Sequence, residues 1–296
     1  MEFTEQPSGV FAAYKPEGFT SFDVVAKLRG ILKIKKIGHG GTLDPMATGV
    51  LPIFIGKATR AADMVADMTK RYVATAVFGQ KTDTGDITGS IIEQNAVVPD
   101  RDALDEGLKG FLGKTRQIPP MYSAVKVGGK RLYEIARKGG TVERTPRQIE
   151  IFSITLLDYD EDKKEFTIDV VCSKGSYIRS LVEDIAGSLG ALSSLKALKR
   201  TASGVFSEDD CLSFSEVESR VGAGDYSFLM PVDTLLSDFA EIRLTKEQER
   251  AFLNGAGIAD IYGAKEGEKF KVYSEERFLA VVQKKDGRMV TSARFV

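Results

Sequence analysis

The sequence predicts an α+β protein built on a mixed, mainly antiparallel sheet and followed by a small β-rich unit. Three observations predict this. Long alternating runs such as "RQIEIFSITLLDYD" and "KEFTIDVVCSKG" read as paired strands joined by the acidic turn "EDKK". Helical patterns fall between the strands, so helices cover the sheet from one side. Around Pro231 to Asp238 the texture changes, giving one helix, "TKEQERAFLNG", among short glycine-separated strands. The two expected domains are residues 1–235 and 236–296, the second a β-barrel-like appendage.

Each element has a local reason. "GVFAAYKP" (9–16) is a short strand, and Ser21 caps the helical pattern "FDVVAKLRGIL", apolar at Phe22, Val25, Leu28 and Leu32. "VLPIFIG" (50–56) is a buried strand, followed by a helix through "ATRAADMVADM". "RYVATAVFG" (71–79) alternates like a strand and ends in the turn-rich "QKTDTGDITG". Residues 101–112 form a helix, and "MYSAVKVGGKRLYEIARKGG" reads as a strand, a glycine turn and a helix closed by Gly139 and Gly140. After the two long strands come a helix, "YIRSLVEDIAGSLG", and a strand, "LSSLKALKRTASGVF". No internal repeat is present.

Bulk composition narrows the classes. With 296 residues, 43% hydrophobic and 28% charged, the chain reads as ordinary globular protein. It holds no run of eighteen apolar residues, so no membrane span is expected. The acidic start "MEFTEQPSGVF" lacks a basic n-region and argues against a secretory signal. Cys172 and Cys211 are then best read as reduced core residues of a cytoplasmic protein. The net charge of -1 hides a segregation: residues 1–150 hold 22 Lys and Arg against 17 Asp and Glu, and residues 205–296 hold 12 against 17. A basic cleft for a polyanion is therefore compatible with near-neutrality, although solvated surface explains the same excess.

One stretch concentrates chemistry. "GHGGTLDPMATGVLP" (38–52) contains the only histidine, His39, and an aspartate locked to a proline, Asp44-Pro45. The proline holds Asp44 extended, and Gly38, Gly40, Gly41 and Gly49 permit close approach of a ligand or a positive φ. Such a loop can present a nucleophile or general base; an Asx-type turn between two elements fits the spacing as well. No cluster of His and Cys suggests a metal site. In "CSKGSYIRSL" (172–181), Tyr177 and Arg179 stand two apart and would share a face at a strand end. An arginine is the apt partner for a buried aspartate, keeping it ionised, and a tyrosine face can stack on a base. A half-buried strand-to-helix junction is the plainer reading of the same pair.

Six ordered blocks carry a resemblance. "KPEGFTS" (15–21), "GHGGTLDPMATGVLP", "TDTGD" (82–86), "PPMYSAVKVGGKRLYEIAR" (119–137), "GSYIRSL" (175–181) and "LKRTASGVF" (198–206) resemble the TruB family of tRNA pseudouridine synthases, from about residue 9 to 235. The tail resembles that family's PUA-like RNA-binding domain much less specifically. One departure is Gly40, where threonine or alanine is more usual; a modest effect on the loop is expected.

The resemblance implies the pseudouridine synthase fold and isomerisation of the T-loop uridine 55 of tRNA, with no metal or organic cofactor. It implies tRNA, through its T arm, as partner, no membrane and no protein partner, and a monomer. Asp44 matches the essential aspartate, Arg179 its salt-bridging arginine, Tyr177 the neighbouring aromatic and Tyr72 the ring that stacks on uracil. The target uridine must be flipped out of its loop. His39 matches the residue that fills the vacated stack. Lys15, Lys126, Lys130 and Arg131 are candidate phosphate contacts, with solvated surface equally open. Asp86 is a candidate for a flipped base edge or a turn cap, and Leu198 for a pocket wall or plain core. A silent RNA-binding protein would not need Asp44, Tyr72 and Arg179 together. A guide-RNA-dependent relative would carry additional tails, and a glycoside hydrolase would want a second carboxylate.

Overall fold

In the computed structural model, which describes residues 7–65, 68–258 and 263–296, a ten-stranded mixed sheet and a separate four-stranded sheet meet the α+β expectation. The chain enters through β1 (Gly9–Lys15), turns through α1 (Ser21–Leu32) and returns by β2 (Ile37–His39) and β3 (Thr48–Ile55). β1 runs antiparallel to β3 with Lys15 opposite Gly49. β2 pairs with the far half of β3, His39 opposite Ile53. The segment between β2 and β3 is thereby pinned at both ends to one strand.

Period-two alternation sorts β1: Val10 and Ala12 pack into one core cluster and Phe11 and Ala13 into another beneath α1. The cap of α1 lies one residue earlier than expected. Thr20, not Ser21, closes a capping box, its hydroxyl accepting from Asp23 N at 3.1 Å while the Asp23 carboxylate accepts from Thr20 N at 2.8 Å. Ser21 is buried in the first turn. Phe22 is 62% exposed, and Val24 takes its expected place in the core beside Val25, Leu28 and Leu32. After β3 the expected helix begins as a 3-10 turn, Gly56–Ala61, and continues as the single turn of α2 (Ala62–Val65); residues 66 and 67 lie outside the described residues.

Next come β4 (Lys70–Phe78), the hairpin β5 (Gln80–Thr82) and β6 (Ile91–Gln94), α3 (Arg101–Lys109) and β7 (Gly113–Gln117). A two-residue ribbon, β8 (Lys126–Val127) and β9 (Lys130–Arg131), leads into α4 (Leu132–Ala136). The long strands β10 (Arg147–Asp160) and β11 (Glu165–Cys172) precede α5 (Ile178–Ser188), β12 (Ser193–Ser203), β13 (Phe206–Ser207), β14 (Cys211–Leu212) and α6 (Phe214–Gly222). The main sheet is ordered β14-β1-β3-β12-β4-β11-β10-β7, and only the β1–β14 and β3–β12 pairings within it are parallel. α3 and α5 cover it with Leu104, Leu108, Leu181 and Ile185 against Phe166 and Ile168.

β12 decides where the site lies. It is wedged between β3 and β4, so Arg200 stands opposite Gly49 on one side and Tyr72 on the other. Gly49 adopts φ +102, and a β-carbon there would collide with the Arg200 carbonyl, so only glycine permits this approach.

The tail folds as β15 (Ala240–Leu244), α7 (Lys246–Leu253), β16 (Lys269–Ser274), β17 (Arg277–Lys285) and β18 (Arg288–Arg294). These strands form an open sheet ordered β15-β16-β17-β18, not the expected barrel-like unit; among the described residues no β15–β18 pairing closes it. Four strands are too few to close around filled side chains. The sheet has its own core of Phe252, Phe270, Val272, Leu279 and Val282, while Val281 and Phe278 join Val10, Phe54 and Phe206 of the main body.

Candidate active site

The segment from Gly40 to Ala47 is held by hydrogen bonds at nearly every step. Gly40 N donates to Pro52 O at 2.8 Å, Leu43 N to the buried Ser21 hydroxyl at 2.8 Å, and Ala47 N to Asp44 O at 3.0 Å. Gly18 N donates to Pro45 O at 2.9 Å. Lys15, fully buried, donates from Nζ to Pro16 O at 2.9 Å, Pro45 O at 3.1 Å and Ala47 O at 2.5 Å. Gly40 itself lies against Phe54, whose ring a β-carbon would approach to 2.9 Å. A carboxylate on such a frame has little freedom to swing.

Asp44 meets Arg179 in a bidentate pair. Arg179 Nε donates to Oδ2 at 2.9 Å and Nη2 to Oδ1 at 3.1 Å, while Nη1 and Nη2 also donate to Thr84 O at 2.6 Å and Tyr122 O at 2.7 Å. The guanidinium side chain is 3% exposed; that of Asp44 is 33% exposed, where it borders the cavity. Arg179 occupies the first turn of α5, not a strand end, and Tyr177 is the residue preceding that helix. A cation there is opposed by the helix dipole, so the Asp44 pairing offsets an unfavourable placement. Burial raises the Asp44 carboxyl above the ordinary carboxylate range against the pull of Arg179, and Asp86 pushes the same way as burial.

The pair opens on a cavity of about 360 Å³ that Tyr72, Tyr177, Leu198 and Arg200 also line. Tyr72, on β4, is buried, and burial keeps its hydroxyl protonated beyond the usual range, partly countered by the nearby charge of Arg200. The fully buried Arg200 donates from Nε to Val50 O at 2.7 Å and from Nη2 to Gly41 O at 3.4 Å. It thus links the Asp44 loop to β3, with Tyr72 as its cross-strand neighbour. Tyr177 is clamped through its backbone by Gln117, donating from N to Oε1 at 2.8 Å and accepting from Nε2 at 3.0 Å. Burial likewise raises its hydroxyl. Leu198, buried on β12, supplies apolar wall. A carboxylate facing such a slot can attack a carbon or take a proton from a flat ring held between aromatic faces.

Other sequence candidates fall elsewhere. His39, at the end of β2, is not among the cavity walls; burial lowers its pKa, and its Nδ1 has no hydrogen-bond partner among the described residues. Lys15 is corrected: a wholly buried ammonium engaged by three carbonyls is a strut beneath the Asp44 loop and does not reach a phosphate. For Asp86 the structure shows the turn-cap alternative. Its Oδ1 accepts from the Thr84 hydroxyl at 2.9 Å, Thr88 N at 3.0 Å and the Thr88 hydroxyl at 2.5 Å, making it a turn cap close enough to Asp44 to act on its charge. Lys126, Lys130 and Arg131 stand exposed together on the β8–β9 ribbon. Gln117, Ser123 and Arg200 were not singled out from the sequence, and Ser21 was read only as a helix cap. Only the spacing of Arg200 two residues past Leu198 on an alternating strand signals its common face with the cavity wall.

Comparison with known proteins places this geometry. The model of the "TruB family pseudouridylate synthase (N terminal domain)" matches residues 29–178. The tRNA pseudouridine synthase B of Oceanobacillus iheyensis is 42% identical over 93% of this chain and 92% of its own. That of Halalkalibacterium halodurans is 42% identical over 95% of each. Among solved structures, a chain of a Cbf5-Nop10-Gar1 complex superimposes with a TM-score of 0.73 at 25% identity, covering 97% of this chain and 85% of that one.

Proposed function

That this chain belongs to the TruB family of pseudouridylate synthases is the premise from which we propose how its side chains share one reaction. The chain is a tRNA pseudouridine synthase, an isomerase that converts uridine 55 of tRNA to pseudouridine. The N1–C1′ bond breaks, the uracil turns, and C5 bonds to C1′; C5 releases one proton and N1 gains one, so no atoms are exchanged overall.

Asp44 acts as nucleophile or base, and the observation that carries this is its bidentate pairing with Arg179 at the mouth of a largely apolar cavity. Arg179 holds the carboxylate in one orientation and favours its charged form. Tyr72 gives the uracil a face to stack on, Tyr177 stands where ring protons leave, and Leu198 excludes water. His39, a neutral imidazole beside the loop, fills the stack from which the T-loop uridine is drawn. Lys126, Lys130 and Arg131 contact RNA phosphates from their exposed ribbon. Residues 1–235 carry catalysis and residues 236–296 form a small RNA-binding domain, supported by the separate core of the tail. The enzyme acts as a monomer without a protein partner, in the cytoplasm where tRNA is matured. Its two cysteines are free thiols, and among the described residues no helix is long and apolar enough to cross a membrane.

The test is incubation with unmodified tRNA followed by mapping of pseudouridine. Wild type forms it at position 55; Asp44→Asn forms none while binding RNA with nearly unchanged affinity. Comparable turnover by the variant rejects the role given to Asp44.

A further inference from the structure

Ser123 belongs to the cavity wall and is 5% exposed, yet its hydroxyl has no well-formed hydrogen bond to any described residue. It lies beside the Tyr177 hydroxyl. Its backbone cannot carry it away. Ser123 N donates to Met121 O at 3.0 Å, Tyr133 N donates to Ser123 O at 3.1 Å, and the preceding Tyr122 O accepts from Arg179 at 2.7 Å. A second wall hydroxyl, that of Ser176, likewise makes no well-formed hydrogen bond and has beside it only the weakly bonding Cys172 thiol. Buried hydroxyls are nearly always satisfied, so two of them in one wall point to a hydrogen-bonding ligand.

The chemistry of that ligand follows from what surrounds it. The guanidiniums of Arg179 and Arg200 are already engaged by the Asp44 carboxylate and backbone carbonyls. Ser123 and Ser176 themselves offer neutral hydroxyls, which suit a neutral ring bearing carbonyl oxygens better than a phosphate. We propose that Ser123 is a further substrate-contacting residue whose hydroxyl donates to a ring carbonyl oxygen of the everted uracil. The proposal rests on the uridine chemistry assigned above. It also suits the turn of the base: rotation about the axis through N3 and C6 exchanges N1 for C5 and, with them, O2 for O4. A donor fixed at the rim therefore meets an equivalent acceptor before and after the turn. One contact can guide the detached ring without opposing its rotation.

The experiment pairs a protein change with an atom change in the RNA. Wild type and Ser123→Ala are assayed on T-arm stem-loops carrying uridine, 2-thiouridine or 4-thiouridine at the target, sulfur being the weaker acceptor. On uridine, Ser123→Ala lowers kcat/KM by about tenfold, the loss of one buried hydrogen bond. On at least one thio-substituted RNA the penalty shrinks to about twofold or less. An equal penalty on all three RNAs, as a folding defect alone would give, overturns the proposal, and so does no penalty on uridine. If wild type itself leaves the uridine RNA unchanged, the enzymatic assignment fails instead, independently of Ser123.

Discussion

Replacing Arg179 by lysine keeps the positive charge and removes the fork, and the structure sets the size of the effect. Three nitrogens of Arg179 serve four acceptors: both Asp44 oxygens, Thr84 O and Tyr122 O, at 2.6–3.1 Å. A lysine ammonium donates from one point and can keep roughly two of the four. Two charge-assisted hydrogen bonds lost inside a buried site, at about 1.5–3 kcal/mol each, come to about 3–6 kcal/mol. Part of this falls on folding and part on the aim of the Asp44 carboxylate. If about 3 kcal/mol falls on the aim, kcat drops on the order of a hundredfold. Single-turnover pseudouridine formation at saturating enzyme reads the second share, and urea unfolding reads the first. RNA affinity changes little, because Arg179 is buried and makes its bonds within the protein. A variant within threefold of wild-type kcat, with an unchanged unfolding midpoint, refutes the argument that the fork and not the charge positions Asp44.

Further outcomes are expected. Because burial raises the Asp44 carboxyl, its ionised form is lost at higher pH than in a free aspartate. The acid limb of kcat/KM therefore lies above the usual carboxylate range, and Arg179→Lys shifts it further up; a limb at or below that range contradicts the assignment. Lys15 is pushed down to about 8 by burial, so as pH rises past that value the folded protein loses a cation that favours ionised Asp44 and one donor to its loop. Activity is expected to fall above about pH 8 in wild type, and this alkaline limb to vanish in Lys15→Met, which leaves three carbonyls without this donor and should also be less stable by about 1–3 kcal/mol. Neutralising Lys126, Lys130 and Arg131 together with glutamine should flatten the plot of log affinity against log salt by about two units, with little change in kcat. An unaltered slope removes the ribbon from the RNA interface.

Much of the fold was legible because the signals are local. Alternation along "RYVATAVFG" and "KEFTIDVVCSKG" marked β4 and β11, and the run from Arg101 marked α3. Where the reading went astray, a neighbour in space decided. Thr20 displaced Ser21 as cap because the Ser21 hydroxyl is taken by Leu43. The helix read from Tyr177 begins one residue later, at Ile178, and Tyr177 stays extended outside it with its backbone held by Gln117, sixty residues away. Nothing local tells whether a charge is exposed, so Lys15 and Arg131 looked alike although one is wholly buried and the other faces solvent.

The sequence by itself determined the stiff glycine-rich loop around Asp44, the residues able to do chemistry and the order of the elements that carry them, since these depend on periodicity, turn chemistry and resemblance. Tertiary structure alone decided the partnerships. It set Asp44 against Arg179 across 135 positions, placed Arg200 between Gly49 and Tyr72 through the register of β12, and turned Lys15 and Asp86 inward. The reason is that burial and pairing arise when segments distant in the chain align, and a one-residue slip of strand register would send the strand-borne Lys15, Tyr72 and Arg200 to the opposite face.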